Sequence, residues 1–215
     1  MAFICGLPYV LLAGRPDRPV EPLAAPVLEG GRYEDRPIYF SDVIVRADAP
    51  LRSFADLRGR SWAYNEPYSH SGYNVTRHHL VRLGKTAGFF GEVIESGYHL
   101  ASIRLVEDGL VDASAIDSQV LAIELRDRPG LQERLRIIDA LGPATIQPVV
   151  AAARLPASLK EDLRAALVQM HRDPRGAEGL AHGFVTRFQA VEDADYDDIR
   201  EMAGAAHAAG FTTLR

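Results

Sequence analysis

Strand-like and helix-like segments alternate along the middle of this chain, and polar residues stand at each change from one to the other. Ser61-Trp62-Ala63-Tyr64 precedes a helical run from Tyr73 to Leu83, with Tyr73, Val75, Leu80, Val81 and Leu83 as its apolar positions. Val93-Ile94 precedes a run carrying Leu100, Ile103 and Val106, closed by Gly109, and Leu110–Ile116 precedes Val120, Leu121, Ile123 and Leu125. Short apolar runs between helical periodicities predict an α/β fold with mainly parallel sheets. Such sheets bind ligands outside the carboxyl ends of their strands. Here those ends carry Ser69-His70-Ser71, then His99, then Asp117. Their convergence says more than any of them alone.

The first junction, Asn65-Glu66-Pro67-Tyr68-Ser69-His70-Ser71-Gly72, has the chemistry of an anion site. A helix start leaves backbone N–H groups unpaired and carries partial positive charge. A serine there either caps one N–H or turns its hydroxyl outward. Two serines with free amides suit a phosphate, phosphonate, sulfonate or carboxylate. A plain helix cap is the alternative reading, as it is for Asp117, and His99 alone also fits a hydrogen-bonded structural histidine. A Ser71/His99/Asp117 triad can be written on paper, but no spacing favours it over anion binding.

Composition limits the rest. In 215 residues, 47% are hydrophobic and 25% charged, enough for one large domain or two lobes with real cores. A net charge of −5 argues against a nucleic-acid surface. No apolar run has the length of a bilayer span. One cysteine, Cys5, leaves no internal disulfide. His78 and His79 are neighbours on a helix, about 100° apart, and do not chelate together, so no metal or other cofactor is expected. Tyr9 and Tyr39 read as core or cleft aromatics.

Elsewhere, Ile38–Val45 is a strand, the Pro- and Gly-rich residues 14–37 read as loop, and Arg136–Asp139 and Pro148–Ala152 as strands. Ser158-Leu159-Lys160-Glu161 reads as a capping box. Helices are expected over 174–181 and 196–209. The apolar opening, Met1 to Leu12, has no basic residue ahead of it and does not read as a signal peptide. Phe3-Ile4-Cys5 before Gly6 reads instead as a core strand inside a sheet. Its partner strand is not in the given residues, which leaves an edge that a second copy can cover, so a homodimer is expected.

Several stretches together resemble the phosphate/phosphite/phosphonate-binding proteins of ABC transporters. They are Ala2–Tyr9, Tyr39–Val45, Phe54–Arg60, Asn65–Gly72, Ser96–His99 and Gly109–Asp117. The resemblance implies a bilobal type 2 periplasmic-binding-protein fold, with 1–43 and 148–215 in lobe one and 44–147 in lobe two. It also implies a first lobe without its N-terminal strand-helix-strand unit. The implied function is to bind a small oxyanion without chemistry and deliver it to a transporter permease in the periplasm. Ser69, His70, Ser71, His99 and Asp117 are the implied ligand groups, with Tyr9 and Tyr39 lining the cleft. His70 stands where that family commonly has threonine, which bears on the anion preferred. Other classes of the same fold stay open: a cytoplasmic enzyme of the menaquinone-pathway type, and a sensory or effector ligand-binding domain.

Overall fold

The computed structural model describes residues 1–214, and two compact units account for them: 1–39 with 144–200, and 40–143 with 201–214. The chain passes between them at 39/40, 143/144 and 200/201. Residues 201–214, expected with 148–200, belong to the second unit. Phe211 and Leu214 enter its core beside Val43, Trp62 and Tyr73, and Arg77 Nε donates to the Phe211 carbonyl at 3.0 Å.

The first unit holds β1 (Ala2–Phe3), α1 (Gly6–Ala13), β2 (Val20–Leu28), β8 (Val149–Ala152), α6 (Ala157–Gln169), α7 (Pro174–His182) and β9 (Val185–Ala190). Its sheet runs β1-β8-β2-β9 and every pairing is antiparallel. Leu23, Ala24, Val149, Ala151 and Phe188 pack with Leu167 and Leu180 of α6 and α7.

Three sequence expectations change here. Residues 20–28 form a strand despite two prolines. Pro22 sits where the β8 register shifts, at a bulge, and Pro26 lies beyond Ala24, the last residue opposite β8. A bulge is among the places where a sheet tolerates proline, and Pro26 stands opposite Phe188 of β9. Phe3-Ile4-Cys5 is no interior strand either: β1 has two residues, lies at the sheet edge, and leaves Phe3 57% exposed. The Ser158 capping box is also absent. Pro156 is the N-cap of α6, no side chain caps that end, and Ser158 lies inside the helix.

The second unit holds β4 (Ser61–Tyr64), α2 (Val75–Arg82), β5 (Glu92–Glu95), α3 (His99–Glu107), β6 (Ala113–Asp117), α4 (Ser118–Asp127) and α5 (Leu131–Arg134). It also takes most of β3 (Ile38–Arg46) and β7 (Leu135–Thr145), and the larger part of α8 (Asp197–Ala208). The sheet order is β5-β4-β6-β3-β7. Ser61–Tyr64 and the 110–116 run thus share one sheet, as neighbours. β4 runs parallel to β5 and to β6, while β3 lies antiparallel to β6. Parallel pairing is therefore local to β4–β6 among the described pairs. Trp62 stacks on Phe90 at 4.6 Å and meets Phe54 edge-on, closing one face of this sheet. Because β4, β5 and β6 point the same way, Tyr64, Glu95 and Asp117 end on one side. That side carries the three polar junctions.

Candidate functional site

The junction after β4 folds into one wide helical turn, His70–Asn74, ahead of α2. The Ser69 carbonyl accepts from the Asn74 N–H at 3.1 Å, and the His70 carbonyl accepts from the Val75 N–H. Both bonds span five residues instead of four, and such single wide turns recur at functional sites. Ser69 is the cap: its Oγ accepts from the Gly72 N–H at 3.0 Å. Ser71 has no capping role. Its Oγ lies 3.1 Å from His99 Nε2.

His99 reaches Ser71 because the second junction is bonded to the first. Ser96 N–H donates to the Tyr64 carbonyl at 2.8 Å and Gly97 N–H to the Asn65 carbonyl at 2.7 Å. Ser96 Oγ lies 2.6 Å from Ser102 Oγ, which ties the loop to α3. Ser114 Oγ donates to the Ala63 carbonyl at 2.9 Å and holds β6 to β4. Gly72 has a steric reason: a Cβ there would overlap Asn65 Oδ1 and come within 3.3 Å of His99 Cε1. Asn65 and His99 therefore both crowd the space that a side chain at residue 72 would take.

The sequence-selected residues separate by role. Ser69, Ser71 and His99 come together. His70 is next to them in sequence, but its ring is buried and its Nδ1 accepts from Asn74 Nδ2 at 3.2 Å. Asp117 caps α4, accepting from Gln119 N–H at 2.8 Å and Val120 N–H at 3.3 Å. Tyr9 and Tyr39 belong to the first unit, each 1% exposed. The Tyr9 hydroxyl donates to Asp193 at 2.6 Å, and its ring meets Tyr196 edge-on at 4.7 Å. Burial and the Asp193 carboxylate both push the Tyr9 hydroxyl well above its usual range.

Burial sets the charge of the histidines. It lowers His99 to about 4 and, together with the charge of His78, lowers His70 to about 3. Both rings are neutral near pH 7. No Lys or Arg occurs in Asn65–Asn74 or Ser96–His99. The site thus offers neutral donors: hydroxyls, an imidazole and the positive end of the turn. Asn65 Oδ1, Asn74 Oδ1 and His99 Nδ1 are buried without a hydrogen-bond partner among the described residues. Asn65 and Asn74 are the residues sequence reasoning left out. Their signal was faint, two amides flanking a Ser-x-Ser-Gly turn. A hydrolytic triad is not assembled, because the Asp117 carboxylate is turned to the start of α4 and His99 Nδ1 lacks an orienting partner.

Comparisons with known proteins give the family and the fold. The family model described as the phosphonate periplasmic substrate-binding protein of ABC transporters matches residues 1–196. A binding-protein component of an ABC phosphonate transporter from Pseudomonas aeruginosa has a TM-score of 0.81 at 19% identity, over 96% of this chain and 68% of that one. PhnD1 from Prochlorococcus marinus, solved with methylphosphonate, gives 0.81 at 20% identity, over 95% and 77%. The Xanthomonas citri protein XAC2383, solved with ATP, gives 0.70 at 21% identity, over 96% and 76%. At such identities the structures establish the fold, and the family model establishes membership. No helix among the described residues is long and apolar enough to cross a membrane. This chain belongs to the phosphonate periplasmic substrate-binding proteins of ABC transporters.

Proposed function

We propose that the protein binds a small phosphorus oxyanion, a phosphonate, phosphate or phosphite, at the wide turn before α2 and delivers it to an ABC permease in the periplasm. One observation carries this reading: Ser71 Oγ and His99 Nε2, 3.1 Å apart, meet at a helix start on the carboxyl side of three neighbouring strands. Ser71 presents the hydroxyl, His99 orients it, and Ser69 holds the turn in shape through Gly72 N–H. His70, through Asn74, supports the same turn, and Asp117 caps the adjoining helix. The binding is without chemistry, a reading supported by the substrate-binding family to which the chain belongs. Pairing of two copies at the β1 edge belongs to the same proposal, supported by the exposure of Phe3.

Calorimetric titration of phosphate, phosphite, methylphosphonate and sulfate against wild type and Ser71→Ala tests the site. A hydrogen bond to a charged group contributes roughly 1.5–3 kcal/mol, so Ser71→Ala should weaken binding about ten- to a hundredfold. Binding of none of the four anions, or equal binding by the variant, would remove the anion reading.

A further inference from the structure

A concave site lies in the same unit, along the flank of α2. Val75, His78, His79 and Arg82 form one face of the helix and, with Asp139–Gly142 of β7 and Met202 of α8, line a pocket of about 220 Å³. Its polar groups are largely unspent. The side chains of His78, His79 and Arg82 make no hydrogen bond among the described residues, and His79 only stacks edge-on against Phe54 at 4.4 Å. Asp139 Oδ1 accepts from the N–H of Ala140, its own neighbour, at 2.8 Å.

Arg82 and Asp139 carry opposite charges on two walls of one pocket, yet they form no ion pair with each other. Two unlike charges that share a space without joining favour a ligand that carries both complements. A lone anion would meet Asp139 as well as Arg82, and a lone cation the reverse. Pockets with a few convergent polar groups on partly apolar walls are the usual form of small-molecule sites. Val75, Leu141 and Met202 give this one an apolar lining for a short carbon chain.

We infer that this pocket binds a small aliphatic zwitterion, its acid group on Arg82 and its ammonium group on Asp139, with the two imidazoles as neutral hydrogen-bond partners. Burial lowers both His78 and His79, and Glu201 from α8 offsets this at His78 as Asp139 does at His79. Near pH 7 the imidazoles therefore leave the charge pattern to Arg82 and Asp139. The charged groups of this pocket are not those of the anion site; Val75, whose N–H bonds the His70 carbonyl, links the two.

Side-chain NMR of the histidines tests it on the whole protein. Glycine, β-alanine and γ-aminobutyrate, which step the charge separation, are titrated while the His78, His79 and His99 ring signals are followed. At least one of the three should shift His78 and His79 saturably and leave His99 still. Propionate and propylamine, each with one of the two charges, should bind at least tenfold more weakly. Arg82→Gln and Asp139→Asn, at an exposed and a partly exposed position, should each weaken the zwitterion about tenfold, the effect of 1.4 kcal/mol. The inference falls if no amino acid moves His78 and His79, if propionate moves them equally well, or if both variants bind as wild type does. Movement of His99 alone would place the ligand at the turn and would equally overturn it.

Discussion

At the scale of single residues, the two serines of the turn do different work. Ser69 holds the Gly72 N–H, so Ser69→Ala should cost about 1 kcal/mol of stability as a lost cap. Ser71 bonds His99 instead, so Ser71→Ala should cost about 1 kcal/mol for the lost hydrogen bond while anion affinity drops. Gly72 is fixed by space, since any Cβ would strike the Asn65 carboxamide. Gly72→Ala should destabilise by about 1–3 kcal/mol, as overpacking does. Adding Asn65→Ala to Gly72→Ala should recover much of that loss, because the obstructing amide is gone. Urea unfolding of the two singles and the double reads this out; simple additivity would show that the two side chains do not meet. His99 carries the pH dependence of binding. A bound anion raises the proton affinity of the nearby imidazole above its empty-site value of about 4. The complex then holds a proton that the free protein lacks, so affinity should fall as pH rises from about 4 towards the value in the complex. A titration series flat across pH 4–7 would contradict this.

At the scale of elements, the helix caps give the cleanest contrast. Asp173 Oδ1 accepts from the Gly176 N–H at 2.9 Å at the start of α7, whereas Ser158 sits inside α6 and caps nothing. Asp173→Ala should cost about 1 kcal/mol, and Ser158→Ala should stay within about 0.5 kcal/mol, both by thermal unfolding. The Ser158 case also shows what the sequence leaves unsaid. Its spacing to Glu161 satisfies the pattern, but Pro156 fixes the helix start two residues earlier. Periodicity found β4, β6 and the helices after them, because apolar runs there meet polar junctions abruptly. It missed β2, where two prolines hide a buried central strand, since nothing local shows that a bulge and the end of β8 accommodate them. β9 was missed for a related reason: Val185–Ala190 alternates weakly, and only its pairing with β2 makes it a strand. At the site, Ser69, Ser71 and His99 were legible as chemistry at strand ends. The burial that makes His70 a neighbour of Asn74 was not, since ring direction is set by packing.

At the scale of the whole molecule, the two buried histidines link the fold to pH. His70 and His99 have folded-state values near 3 and 4, below the ordinary 6.5. The unfolded chain therefore binds protons more readily between those values, and stability should be full above about pH 6.5 and decline as pH falls towards 3. His70→Asn and His99→Asn together should flatten the part of that decline which these rings cause. A melting temperature that rises on acidification over this range would contradict the burial seen here. The central claim is where the ligand sits. It is tested most directly by a crystal structure of the protein grown with saturating methylphosphonate. The expected result has phosphonate oxygens within hydrogen-bond reach of Ser71 Oγ and of the backbone N–H groups that open the 70–74 turn, with His99 still beside Ser71. Methylphosphonate bound elsewhere, with the Ser71–His99 contact undisturbed and the turn holding only solvent, would contradict it.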